Sequence, residues 1–171
     1  MPTSVVPGKP DVPEPSVSAL IADLTARGLT LAIAESLTGG LLTAEFVRPA
    51  GASSVVVGGV VAYDTALKAS MLGVDADLLD REGPVHPEVA RQMADRVRNA
   101  LAIDGRPADL GLSTTGVAGP DPQEDAPVGT VFVGIAVGDN VDVVALQLEG
   151  TRDQVRARTV SEAVAALAER V

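Results

Sequence analysis

The chain has 171 residues, no cysteine, no tryptophan, one histidine and a net charge of −10 with a pI ≈ 4.4. That length predicts one domain able to bury roughly 70% of its unfolded surface without covalent staples. The composition excludes disulfides, thiolate metal sites and cysteine nucleophiles, leaves His86 as the sole imidazole, and argues against a nucleic-acid or anionic-membrane surface.

The first stretch, "MPTSVVPGKPDVPEPS", is proline-rich. It predicts a flexible tail over 1–15 and a single domain over 16–171. It lacks the charged start and apolar core of a signal peptide, and no apolar run reaches the ~18 residues that span a bilayer. A cytoplasmic location is expected, with no membrane partner. Aromatics are 2% of the chain, so the core must be Val, Leu, Ile and Ala.

"SVSALIADLTARG" (16–28) reads as an amphipathic helix capped by Ser16 or Ser18 and stopped by Gly28. "LTLAIA" (29–34) reads as a short buried strand, and "TGGLLTAEFV" (38–47) as a helix opened by glycines. After the loop "RPAGASS", the β-branched run "VVVGGVVAY" (55–63) is the second strand. Asp64 is a good cap for a short helix ended by Gly73, and "DADLLDREG" predicts another. Residues 87–101 form an amphipathic helix with proline in its first turn.

"ADLGLSTT" (108–115), "TVFVGIAV" (130–137) and "VDVVALQLEG" (141–150) are strands three to five. The Gly/Pro/acid loop 116–129 joins the third to the fourth, and the hairpin-type turn "GDN" joins the fourth to the fifth. A last helix begins at Thr151, which forms a capping box with Gln154. Strands separated by helices imply parallel crossovers. The helix-free links make the fourth strand antiparallel to the rest. The fold class is α/β, a mixed five-stranded sheet with helices on both faces.

Three segments bring chemistry to the carboxyl ends of the first three strands, where open α/β sheets bind ligands. After the first strand come Glu35, Ser36, Leu37, Thr38, Gly39 and Gly40. At the end of the second come Tyr63, Asp64 and Lys68. After the third come Thr114, Thr115, Gly116 and Gly119. Ser36 stands where a nucleophile would, with the amides of Leu37 to Gly40 available to an oxyanion or phosphate. It also stands where a simple helix cap would.

Of 13 basic residues eleven are arginine, and Lys68 is the only lysine outside the tail. Lysine can lose its proton where arginine cannot. A buried Lys68 near a helix start would serve Ser36 as a base, whereas a surface pair with Asp64 would keep it charged. Tyr63 could bond the substrate or the serine, and Thr115 is a candidate donor. Arg152 and Arg156 are candidate anion ligands. One histidine does not make a metal site. Neither a phosphate loop nor a dinucleotide fingerprint is present, and no cofactor is expected.

In order along the chain, "AESLTGG", "GGVVAYDTALKASMLGV", "STTGVAGPD", "PVGTVFVGIA" and "GTRDQVR" resemble the CinA C-terminal family, the nicotinamide mononucleotide deamidases. The resemblance covers about 16–170. It implies a three-layer α/β/α fold with strand order 2-1-3-4-5, and metal-independent hydrolysis of the carboxamide of nicotinamide mononucleotide to nicotinate mononucleotide and ammonia. It implies Ser36 as nucleophile and Lys68 as its base, with Tyr63, Thr115 and Arg152 supporting or binding the substrate.

The chain departs from the family pattern at Leu37, often cysteine, at "GPVH" (83–86) for "GAVS", at the acidic "PQEDAPVGT" (122–130), and at Thr151 for aspartate. Many relatives carry an N-terminal pyrophosphatase-linked domain, and without it no such activity is expected. The partner expected is a small nucleotide substrate, with a homodimer or higher homo-oligomer in which Arg152 reaches across to a neighbouring subunit. Two alternatives stand beside the deamidase: a non-catalytic nucleotide-binding or assembly module of the same fold, and an amidase for another pyridine nucleotide.

Overall fold

In the computed structural model of the chain, which describes residues 16–123 and 125–171, Ser16 accepts a hydrogen bond from the Ala19 amide and opens helix α1 (Val17–Arg27). Gly28 ends it in the left-handed region at φ 66°, where a side chain would be strained. The tail expected over 1–15 lies outside the described residues.

Strand β1 (Leu31–Glu35) is buried at every position. Its last residue is Glu35, so the acid belongs to the strand rather than to the turn beyond it. Helix α2 (Leu41–Val47) starts three residues later than the expected Thr38. Gly39 and Gly40 have φ of 56° and 102°, so residues 36–40 form a turn before the helix can begin. A short 3-10 turn (Ala52–Ser54) occupies the loop before β2 (Val56–Val61). Helices α3 (Thr65–Ser70), α4 (Ala76–Glu82) and α5 (Pro87–Ala100) follow, capped by Asp64, Asp75 and His86. Strands β3 (Leu110–Gly116), β4 (Thr130–Val137) and β5 (Asn140–Gln147) complete the sheet. Helix α6 (Arg152–Ala168) closes the chain with the expected Thr151–Gln154 capping box.

The strand order is β2-β1-β3-β4-β5. β1 pairs parallel with β2 and β3, whereas β4 is antiparallel to β3 and β5. The order, the mixed direction and the three layers are those expected. Strand order reverses between β1 and β3, which places a crevice at their carboxyl ends.

Period-two alternation splits the sheet into two faces. Leu31 and Ile33 join Leu110, Leu112 and Val131 in a core under α1, α2 and α6. Ala32 and Ala34 face the other way, with Leu72, Leu79, Val89 and Met93 of the second core. That second face is lined with small residues, which lets α5 come down on the sheet. A Cβ at Gly111 would strike the Ala94 carbonyl, and one at Gly134 the Ala90 carbonyl. Ser113 Oγ uses the close approach to donate to Ala90 O at 2.7 Å. Among the described residues no helix is long and apolar enough to cross a membrane.

Candidate active site

Ser36 follows the last residue of β1, and its amide donates to Thr114 O at 3.0 Å. The β1–β3 ladder thus extends one step past the strand and fixes where the hydroxyl emerges. Lys68 comes from α3, beyond β2. Its Nζ lies 3.1 Å from Ser36 Oγ, 2.8 Å from Ala62 O and 3.5 Å from Tyr63 O. Only 1% of the lysine is exposed. The Asp64 carboxylate is occupied in capping α3 through the Ala66 amide. Lys68 is therefore a buried group and not half of a surface pair.

Burial lowers the Lys68 pKa from 10.5 to about 8, against the smaller opposing pull of the Asp64 charge. The expected help from a helix start has little part in this. α3 is a six-residue helix and Lys68 is also in its last turn. As an ammonium it donates to all three oxygens. Once neutral, its two N–H groups serve the two carbonyls, and its lone pair is left for the Ser36 hydroxyl proton.

The pair opens into a cavity of about 180 Å³ lined by Ser36, Leu37, Tyr63, Thr65, Lys68, Pro84, Val85 and Thr115. The segment Gly116–Gly119 with Asp121, Gln123 and Arg152 completes the wall. Thr115 is buried, and its hydroxyl donates to Pro84 O at 2.7 Å. It presents lone pairs to the cavity rather than the donor expected. Thr114, one residue earlier, points to the opposite face and bonds Thr38 Oγ1 at 2.8 Å. Neither of those two hydroxyls is in the cavity wall.

Tyr63 is 58% exposed, and its hydroxyl accepts from Arg152 Nη2 at 2.9 Å. It stands at the cavity wall with no hydrogen bond to Ser36, so of its two candidate partners, substrate or serine, the serine is not engaged. Arg152 also donates to Gly119 O at 2.6 Å. It thus stands at the wall of its own chain's cavity. Gly116 and Gly119 line the cavity, but packing explains them. A Cβ at Gly116 would meet Thr130 O at 2.6 Å, and one at Gly119 would meet Val128 at 2.8 Å.

The turn 36–40 differs from the open ring of amides expected. Gly39 N–H donates to Ser36 O at 3.1 Å, and Gly40 N–H donates to Glu35 at 3.0 Å. Thr38, Gly39 and Gly40 are absent from the cavity wall. The Leu37 and Thr38 amides have no acceptor among the described residues. Arg156 is not an anion ligand here. Its Nε and Nη2 donate to Leu37 O at 2.9 Å and Thr38 O at 3.1 Å. His86 caps α5 by accepting the Glu88 amide at 3.2 Å and does not line the Ser36 cavity.

The role of Glu35 was not legible. Its carboxylate is fully buried and accepts from the amides of Gly40, Leu42 and Thr43 and from Thr43 Oγ1. An acid ending an apolar strand, before a helix whose cap is glycine, was the available signal. Pro84, Val85, Thr65, Asp121 and Gln123 gave none, because tertiary packing alone brings them to the cavity. Among the described residues no group of three His, Asp or Glu side chains is placed to hold a metal.

Fold and site together define a three-layer α/β/α domain that keeps a lysine–serine pair buried at the carboxyl edge of its sheet. The chain belongs to the CinA C-terminal domain family, whose model matches residues 14–171. A competence-damage inducible protein of Geobacillus kaustophilus is 50% identical over 137 residues, 80% of this chain and 32% of that protein. A CinA-like protein of Frankia casuarinae is 47% identical over 141 residues, 82% of this chain and 31% of that protein. The chain thus spans about a third of the length of these relatives. Among solved structures, a competence/damage inducible protein from Agrobacterium tumefaciens is 33% identical with a TM-score of 0.81, covering 95% of each chain. A CinA superfamily protein from Escherichia coli is 29% identical with a TM-score of 0.86, covering 98% of this chain and 95% of that one.

Proposed function

We propose that the domain is an amidohydrolase that converts nicotinamide mononucleotide to nicotinate mononucleotide and ammonia. The observation that carries this reading is the buried Lys68 amine 3.1 Å from Ser36 Oγ at the wall of a cavity. A lysine with a pKa near 8 is neutral in roughly a tenth of molecules at pH 7, and in most of them a pH unit or more above its pKa. In that form it takes the Ser36 proton as Oγ attacks the carboxamide carbon.

The oxygen of the tetrahedral intermediate carries the negative charge. The Leu37 amide, at the cavity wall and without another acceptor among the described residues, is the donor left for it, and such donors are the most valuable part of an acyl-transfer site. Lys68 then gives its proton to the departing amine, and ammonia leaves. Water attacks the Ser36 ester with Lys68 again as base. The carboxylate leaves, and Ser36 recovers its proton.

The cavity is smaller than the ~300–1,000 Å³ usual for whole ligands. It suits the carboxamide-bearing ring, with the phosphate left at the mouth beside the exposed Arg152. Among the described residues that guanidinium has only neutral oxygen partners, Tyr63 Oη and Gly119 O, which leaves its charge for an anion. Thr115 and the 116–119 backbone would orient the ring. The reading further proposes a cytoplasmic enzyme that assembles with itself. Exposed Val61, Leu67 and Met71 along β2 and α3 supply apolar surface for that contact.

The test is ammonia release from nicotinamide mononucleotide by purified protein without added metal, beside Ser36→Ala. Release by the wild type alone supports the enzyme and its nucleophile. Release by both moves the nucleophile elsewhere. Release by neither, with the nucleotide still bound, favours the non-catalytic binding module. Release from a different pyridine nucleotide alone favours the related amidase.

A further inference from the structure

We infer that Arg156, acting with Glu35, is a positioning residue that holds the 36–40 turn, and through it the direction of the Leu37 amide beside Ser36, and so sets turnover without touching the substrate. The inference rests on Ser36 acting as the nucleophile proposed above.

The amides from Ser36 to Thr43 divide sharply. Ser36 N–H is held by Thr114 O, Gly39 N–H by Ser36 O and Leu41 N–H by Thr38 O. Gly40, Leu42 and Thr43 N–H all go to the Glu35 carboxylate. Leu37 and Thr38 are the two left without an acceptor among the described residues, and of these Leu37 lines the cavity with Ser36. Glu35 draws the far end of the turn inward. If it did not, the amides at the start of α2 would compete for the same anion.

The carbonyl side of the turn is held separately. Arg156 forks onto two consecutive carbonyls, Leu37 O and Thr38 O. A peptide unit is planar and trans, so its N–H points opposite to its C=O. Holding Leu37 O fixes the plane it shares with Thr38 N–H, and holding Thr38 O fixes the plane it shares with Gly39 N–H, whose bond to Ser36 O in turn sets the direction of the Leu37 N–H. The guanidinium is absent from the cavity wall, so its effect passes through the turn. Its one carboxylate neighbour among the described residues, Asp153, is 3.6 Å away and 92% exposed, a weak competitor. Lysine, a point charge without the rigid fork, cannot hold two carbonyls in the same geometry.

The experiment compares wild type, Arg156→Met, Arg156→Lys and Asp153→Asn in two assays. One is ammonia release from nicotinamide mononucleotide. The other is the rate at which a fluorophosphonate labels Ser36, followed by mass spectrometry. The label needs the nucleophile and the oxyanion donors but not the natural substrate. Arg156→Met is expected to lower both kcat and the labelling rate on the order of 10²-fold, with KM within about two-fold of wild type. Arg156→Lys falls between, and Asp153→Asn matches wild type.

Unchanged kcat and labelling in Arg156→Met overturn the proposal, as does a raised KM with unchanged kcat, which would make Arg156 a substrate ligand. If Arg156→Met is unfolded by circular dichroism, Arg156→Lys decides by the same criteria. A wild type that is labelled at Ser36 yet releases no ammonia sinks the substrate assignment and leaves the labelling ratios to judge the clamp. A wild type that is not labelled sinks both.

Discussion

Lys68 Nζ and Ser36 Oγ lie 3.1 Å apart across 32 residues of sequence, one carried past β2 by α3 and the other set at the end of β1. The lysine is buried, and burial rather than any neighbouring cation lowers its pKa to about 8. A base must be deprotonated to act. The rate of ammonia release should therefore rise with pH and level off above an inflection near 8. A profile from pH 6 to 10 at constant ionic strength checks this. A flat profile, or one that falls across that range, would remove Lys68 as the base.

The same shift makes a stability prediction with a definite sign. The folded-state pKa is about 8 and the ordinary value 10.5, so the unfolded chain binds more protons between those two values. Stability must rise with pH across that window, and the full cost of the buried charge stands below it. The shift corresponds to roughly 3 kcal/mol. Lys68→Met removes that cost but leaves Ala62 O and Tyr63 O without their donor, an offset of about 1–2 kcal/mol. The variant should be inactive, yet more stable than wild type by about 1–2 kcal/mol at pH 6.5. Its advantage should shrink or reverse by pH 10. Urea melts at the two pH values decide it. Equal stability differences at both would show that Lys68 is not titrating in the native state.

The fold was legible from the sequence because its signals are local. The apolar runs 29–34, 55–63 and 130–137, the caps Asp64 and Thr151, and the helix-free links around the fourth strand together define the order and direction of the sheet. The site was legible as three segments converging on one edge, and less so in its detail. Period-two alternation sets Thr114 and Thr115 on opposite faces, but spacing could not tell that their hydroxyls are taken up by Thr38 and Pro84. Nor could it tell that the amides of Gly39 and Gly40 were already taken. By spacing alone Arg152 and Arg156, four apart on one helix, looked equivalent, and only the family resemblance singled out Arg152. One reaches the cavity, and the other turns to the carbonyls of the 36–40 turn. That choice is made by packing between α6 and the turn, which leaves no trace in periodicity.

Arg152 should bear on affinity rather than chemistry, because it stands at the cavity wall and bonds Tyr63 and Gly119 O. Arg152→Ala is expected to raise KM for nicotinamide mononucleotide about ten-fold or more through loss of a charge-assisted phosphate contact. The same change should leave the weaker reaction of nicotinamide riboside, which has no phosphate, nearly unaltered. Steady-state kinetics on both substrates separate the two roles. An equal loss on both would place Arg152 in cavity architecture and leave the phosphate without its proposed partner.

Glu35 carries a purely structural prediction that needs no substrate. Its two oxygens accept four hydrogen bonds, two each, from Gly40 N and Leu42 N and from Thr43 N and Thr43 Oγ1. In Glu35→Gln one oxygen becomes an NH₂ group facing donors. The least costly placement sets it toward Thr43, whose hydroxyl can turn to accept, but the Thr43 amide then loses its partner. A buried donor left unpaired costs about 1–3 kcal/mol. Glu35→Ala removes all four bonds and leaves the start of α2, capped only by Gly40, without acceptors. It should cost more, about 3–5 kcal/mol. Urea melts should show lower midpoints with unchanged slopes, since the surface exposed on unfolding is the same. Wild-type midpoints in both variants would mean that the turn finds other acceptors, and the fixed geometry at Leu37 and Thr38 would then need another source.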